Sequence, residues 1–230
     1  MNYTEKQNNK VYILGTVLTK AIFSHEVYGE GFYEMTVGVK RLSGQSDAIP
    51  ITISERLIEA NKLEIGSKLC AIGQFRSYNK IVDGKSRLML TVFIRELCDE
   101  EYPQNPNNIT LFGYICKPPV YRTTPFEREI ADLLIAVNRA YNKSDYIPCI
   151  AWGRNARFVK NLAVGEKVAL SGRIQSREYI KKISETESKT MTAYEVSISR
   201  FAAYESVDNF DLCYDFEDHK PLENSRRIIV

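Results

Sequence analysis

Hydrophobic and polar residues alternate along much of this chain with a period of two. Ile109, Leu111, Gly113 and Ile115 fall on one face of an extended segment, as do Val168, Leu170, Gly172 and Ile174. Val196 and Ile198 alternate with Ser197 and Ser199. Side chains of a strand point to opposite faces in turn, so this alternation marks strands with one face buried. It predicts strands over 10–17, 32–41, 49–54, 67–75 and 88–97, and again over 108–116, 130–138, 147–153, 166–174 and 191–201. Between the third and fourth strands of each set lies one short helical stretch, 55–63 or 154–162, closed by Gly66 or Gly165.

The two sets are copies of one another. The run N-K-V-Y-I-L-G from Asn9 to Gly15 is answered by N-I-T-L-F-G from Asn108 to Gly113. Val39, Arg41, Ser46, Asp47, Ile49, Pro50 and Arg56 recur 98 positions later as Val137, Arg139, Ser144, Asp145, Ile147, Pro148 and Arg154. Leu63, Gly66, Lys68, Gly73 and Ser77 recur 99 positions later as Leu162, Gly165, Lys167, Gly172 and Ser176. A shared offset with one single-residue shift indicates a duplicated unit of about 100 residues, large enough to hold its own core. Five strands with a helix after the third is the element order of a small OB barrel. The expected fold is therefore all-β: two tandem five-stranded OB-type barrels, each with one short helix between strands 3 and 4. The glycines inside the first and fourth strands suit the bends of such a barrel. The expected domains are 1–103, 104–204 and a tail, 205–230. The break falls in C-D-E-E-Y-P-Q-N-P-N, residues 98–107, which has two prolines and no periodicity.

Charge separates the copies. Residues 1–107 hold 13 basic and 13 acidic side chains, residues 108–204 hold 15 and 9, and residues 205–230 hold 3 and 7. Only the second copy, at +6, would attract a polyanion. The chain lacks a Walker A loop, a G-x-S-x-G elbow and an H-E-x-x-H helix, so an enzyme is the least favoured class. Five scattered cysteines without a C-x-x-C, and two distant histidines, argue against a zinc site. They read as reduced thiols of a cytoplasmic protein. No cofactor or metal is expected. The polar start M-N-Y-T-E-K-Q-N-N-K has no hydrophobic signal region, and no apolar run approaches a membrane span.

The second copy interleaves rings and cations: Arg139, Tyr141, Lys143, Tyr146, Trp152, Arg154, Arg157, Arg173, Arg177, Tyr179, Lys181 and Lys182. Single-stranded nucleic acid calls for this mixture, because cations follow phosphates and flat rings stack on exposed bases. The same residues also suit ordinary strands with solvated cations between them.

Residues 136–157, A-V-N-R-A-Y-N-K-S-D-Y-I-P-C-I-A-W-G-R-N-A-R, and 162–179, L-A-V-G-E-K-V-A-L-S-G-R-I-Q-S-R-E-Y, resemble the bacterial single-stranded DNA-binding protein family. The resemblance covers about 108–204 well and 9–97 more weakly. It implies base stacking by Tyr146, Trp152 and Tyr179, with Tyr141 near a further stacking position. It places Arg154 as the basic residue after the corner glycine Gly153. Any of these rings could instead belong to the core of its barrel. Arg139, Arg157, Arg173, Arg177, Lys181 and Lys182 complete the expected DNA-binding set.

The first copy departs from the family pattern, with Ala48, Ser54 and Lys80 opposite Tyr146, Trp152 and Tyr179. It reads as degenerate for binding, serving as scaffold or oligomer contact, or binding weakly through Lys40, Arg41, Arg56 and Arg76. The family implies four barrels per assembly and hence a homodimer here, formed through strand edges. The resemblance implies a flexible acidic end with an apolar tip, and the basic N-S-R-R-I-I-V departs from it. Residues 208–218, D-N-F-D-L-C-Y-D-F-E-D, are an internal substitute that recruits replication or repair proteins, a segment folding back on the basic barrel, or an extra packed element. The leading reading is sequence-independent binding of single-stranded DNA in replication, recombination or repair. The alternatives are a protein-interaction scaffold of a replication complex and an RNA-binding barrel.

Overall fold

The computed structural model describes residues 8–41, 43–82, 84–98, 105–182 and 188–203. The expectations for 205–230, including recruitment through 208–218, lie outside the described residues. In the first half, β1 is Asn9–Val17, β2 Ile22–Val27, β3 Glu30–Lys40, β4 Ser46–Ser54, α1 Glu55–Asn61, β5 Lys68–Val82 and β6 Lys85–Leu97. In the second, β7 is Asn107–Ile115, β8 Val120–Thr123, β9 Glu129–Arg139, β10 Lys143–Trp152, α2 Arg154–Val159, β11 Lys167–Lys182 and β12 Ser188–Ala203. No helix among the described residues is long and apolar enough to cross a membrane.

The fold is all-β with two OB-type units in tandem, and each helix follows the third expected strand. Each half nevertheless has six strands. The unexpected ones, β2 and β8, form the two ends of the strand order. All six residues of β2 are exposed, and β8 has four residues, so neither leaves a one-sided hydrophobic pattern. The hairpins β5–β6 and β11–β12 also run past their expected ends, where the side chains are mainly exposed.

Pairings in the first half pass from β1 to β3, β4, β6, β5 and back to β1; in the second they pass from β7 to β9, β10, β12, β11 and back to β7. The contacts β4–β6 and β10–β12 are parallel and the others in each circuit antiparallel. The inward faces supply Val11, Ile13, Val37, Ile49, Ile51, Phe75 and Val92 in the first half, and Ile109, Leu111, Ile135, Ile147, Leu170, Ile174 and Val196 in the second. Glycine is required where strands cross closely. A Cβ on Gly73 would run into the Phe93 carbonyl, and one on Gly172 into that of Ser197. A register shift accompanies each of these glycines.

The halves join through their first strands. β1 and β7 pair antiparallel from Asn9↔Leu111 to Ile13↔Asn107, centred on Val11↔Ile109. The edges of these two strands are thus paired within the chain. The structure also corrects the repeat by one residue at its start: Asn107, not Asn108, is the counterpart of Asn9. The Asn9 side chain bonds both the amide and the carbonyl of Phe75, and Asn107 bonds those of Ile174 in the same way.

Cysteine chemistry differs from expectation as well. Cys70 and Cys98 form a disulfide, their Cα atoms 5.2 Å apart across the β5–β6 pair. Sequence spacing gave no sign of this, because strand pairing brings together residues 28 apart. Cys116 and Cys149 are free thiols.

Candidate nucleic-acid interface

Strand alternation sorts the side chains of the second half. On β10, Asp145, Ile147, Cys149 and Ala151 point inward, and Tyr146 and Trp152 point out. On β11, Arg173, Gln175, Arg177 and Tyr179 share one face while Gly172 and Ile174 are buried. Arg173 pairs with Ser197 of β12, and Gln175 with Glu195. A ring and two arginines therefore converge on one side of the barrel.

The convergence forms a groove of about 740 Å³. Trp152, Arg173 and Arg177 line it together with Arg41, Arg122 and Arg128. Trp152 is 38% exposed, and its indole Nε1 donates to Ser197 Oγ at 3.2 Å. That bond holds the ring, which remains partly exposed at the groove. The next residue, Gly153, has φ +52° with ψ −116°, a combination that only glycine adopts without strain, and it turns the chain into α2 beside the ring. Glu195 is the acid in the groove. It accepts from Gln175 at 2.8 Å and lies 3.7 Å from Arg177.

The other expected residues lie in several places. Tyr146 and Tyr179 are about two-fifths exposed on the outer faces of β10 and β11. Tyr146 and Trp152 share a face six residues apart, roughly 20 Å along a strand. Tyr141 stands almost fully exposed at the β9–β10 turn with φ +62°. Arg154 and Arg157 lie exposed on α2, where Arg157 pairs with Glu129 at 3.3 Å. Lys181 and Lys182 end β11, opposite Lys189 and Ser188. Arg139 differs from all of these: its Nε lies 3.2 Å from Asp145, whose side chain is fully buried, so its charge is directed into the protein.

Arg122 and Arg128 were not expected in this site. They flank the short turn after β8, a strand with no readable pattern, and Arg122 is paired with Asp132 at 2.9 Å. The Tyr121 hydroxyl donates to Glu129, anchoring β8 to β9. Arg41 reaches the groove from the first half, but its guanidinium is held by Asp47.

A model described as the single-strand binding protein family matches residues 106–202, the span of β7–β12. A single-stranded DNA-binding protein of Streptococcus pyogenes is 31% identical over 110 residues, covering 45% of this chain and 82% of that protein.

The chain belongs to the single-strand binding protein family.

Another member, a single-stranded DNA-binding protein of Staphylococcus aureus strain COL, is 38% identical over 80 residues. The chain spans only 48% of that protein's length. In fold, the chain is similar to the single-stranded DNA binding protein of Thermus aquaticus, with a TM-score of 0.62, 18% identity, and coverage of 85% of this chain and 92% of the other.

Proposed function

We propose that this chain binds single-stranded DNA without sequence preference and without catalysis, and that its second barrel carries most of the contact. The reading rests on the groove in which Trp152 stands with Arg173 and Arg177, in the part of the chain that matches the family. A ring with an open face stacks on any base, and guanidinium groups around it neutralise phosphates whatever the sequence. Tyr146, Tyr179 and Tyr141 extend the stacking surface, and Arg154, Lys181 and Lys182 extend the phosphate track. Such a protein coats single strands during replication, recombination or repair in the cytoplasm. Two barrels per chain suit a homodimer with four, which light scattering would distinguish from a monomer. Residues 208–218, acidic and aromatic, suit recruitment of replication or repair proteins.

The test is a titration of labelled oligo(dT), oligo(U) and duplex DNA at about 50 and about 200 mM salt. The expected result is preference for oligo(dT) over duplex, with affinity falling as salt rises. Preference for duplex, or affinity indifferent to salt, overturns the reading. Preference for oligo(U) makes the chain an RNA-binding barrel, and absence of binding favours the scaffold alternative.

A further inference from the structure

Glu195 stands against the charge of its surroundings. It lines the groove together with Arg41, Arg122, Arg128, Arg173 and Arg177, and it is only 7% exposed. A buried carboxylate costs stability unless it is paired. The barrel does not require an acid at this place. By register, Glu195 pairs with Gln175 of β11 as Thr91 pairs with Arg76 of β5. Thr91 is buried, with its hydroxyl 2.9 Å from that of Thr52 on β4. The first barrel thus closes on a pair of threonines where the second carries a charge.

A chain of hydrogen bonds fixes how the carboxylate is presented. Arg173 donates to Gln175 Oε1 at 3.3 Å, which leaves the Gln175 amide nitrogen to face β12. That nitrogen donates to Glu195 Oε1 at 2.8 Å. Arg177 lies 3.7 Å from the same oxygen. These are the partners of Glu195 among the described residues. Ser197, which holds the Trp152 indole, is two residues further along β12 and also lines the groove. Two residues of a strand span roughly 7 Å. A base stacked on Trp152 therefore has its edge within reach of Glu195.

A bound strand changes the balance at this acid. Its phosphates compete for Arg177, and the carboxylate is then left beside a polyanion with one neutral donor, Gln175. A donor on the base makes good that loss. Cytosine carries an amino group at N4, where thymine carries the O4 carbonyl. An amino group donates to a carboxylate, whereas a carbonyl oxygen is repelled by it.

We propose that Glu195 determines which base the groove prefers: it accepts a hydrogen bond from N4 of a cytosine stacked on Trp152 and disfavours thymine there. The proposal rests on the reading that the groove binds single-stranded DNA. It concerns one position of the strand, so the rest of the footprint remains tolerant of sequence. Gln175 and Arg173 are positioning residues for the carboxylate.

The test is competition of unlabelled oligo(dC) and oligo(dT), each about 16 nucleotides long, for binding of a labelled oligonucleotide to the full chain and to its Glu195→Gln variant. The readout is the ratio of the two affinities, which cancels any loss that both strands share. A carboxamide both donates and accepts, so it takes either base. The ratio should favour oligo(dC) in the wild-type chain and fall about tenfold in Glu195→Gln. A ratio that is the same in both chains overturns the proposal and leaves the proposed function standing; a lower melting temperature in the variant would then mark Glu195 as structural. A second probe, an oligomer of pyrimidin-2-one deoxynucleotides, keeps the ring of cytosine without its amino group. On the wild-type chain it should bind about tenfold more weakly than oligo(dC). Binding equal to oligo(dC) overturns the proposal, and failure of every oligonucleotide to bind overturns the proposed function as well.

Discussion

The Ser77 amide in the first barrel donates a hydrogen bond of 2.6 Å to Asp145 Oδ1 in the second. Its counterpart runs the other way, from the Ser176 amide to Asp47 at 2.8 Å. Each barrel thus fastens the other through a buried carboxylate. The two acids are matched differently. Asp47 takes two bonds from Arg41, at 2.6 and 2.5 Å. Arg139 approaches Asp145 as a charge at 3.2 Å, and Asp145 Oδ2 and Arg139 Nε are left without hydrogen bonds.

These acids should give opposite pH dependence. Burial opposes the Asp47 charge, but the bonds from Arg41 and Ser176 outweigh it and hold the pKa below 3.8. Its contribution to stability is therefore present above pH 3.8 and lost as pH falls through the folded-state value. At Asp145, burial outweighs the Ser77 bond and nearby arginines, so the pKa is raised above 3.8. Ionising Asp145 therefore lowers stability as pH rises from 3.8 through its folded-state value. In denaturation measured from pH 3 to 7, Asp47→Asn should cost roughly 3–5 kcal/mol at pH 7, where it leaves Arg41 unpaired, and less at pH 3. Asp145→Asn should cost less than Asp47→Asn at pH 7; equal costs would contradict this account.

Arg139 should behave as a structural residue despite its place in the basic, aromatic stretch. Arg139→Ala leaves Asp145 buried without its ion-pair partner, so the melting temperature should fall while the salt slope of DNA binding stays the same. Arg173→Ala and Arg177→Ala should show the reverse, losing affinity and about one unit of slope with little change in melting.

Much of this was legible in the chain. The two-residue period located ten strands, because each has one face in a core. The rings and arginines of β10 and β11 could be assigned to the outer face from the same alternation. Strands β2 and β8 could not be found, since β2 is exposed on both faces and β8 is only four residues long. Arg139 carried a readable warning: Arg41 and Asp47 recur together as Arg139 and Asp145, the mark of a conserved pairing within the repeat and not of a phosphate contact.

The Cys70–Cys98 bond closes a loop across 28 residues of the first barrel. Constraining an unfolded loop of that size is worth roughly 3.5 kcal/mol. Reduction should therefore lower the thermal midpoint, and a Cys70→Ala protein should melt at the same temperature with and without reductant. A wild-type midpoint that is unaffected by reductant would count against the bond.

Tyr146→Ala should weaken oligo(dT) binding by about tenfold or more, from roughly 1–3 kcal/mol per lost stack, with the salt slope unchanged. Wild-type affinity in a normally folded Tyr146→Ala chain would remove Tyr146 from the binding surface.

Trp152 is the sole tryptophan of the chain, so intrinsic indole fluorescence reports on the groove and nothing else. The most direct measurement is a titration with unlabelled oligo(dT), followed by this emission and in parallel by anisotropy of a labelled oligonucleotide. Stacking of a base on the indole should quench the emission in step with binding, and added salt should restore it as the strand dissociates. Saturation seen by anisotropy with the emission unchanged would show that DNA binds elsewhere, and would contradict the assignment of the groove.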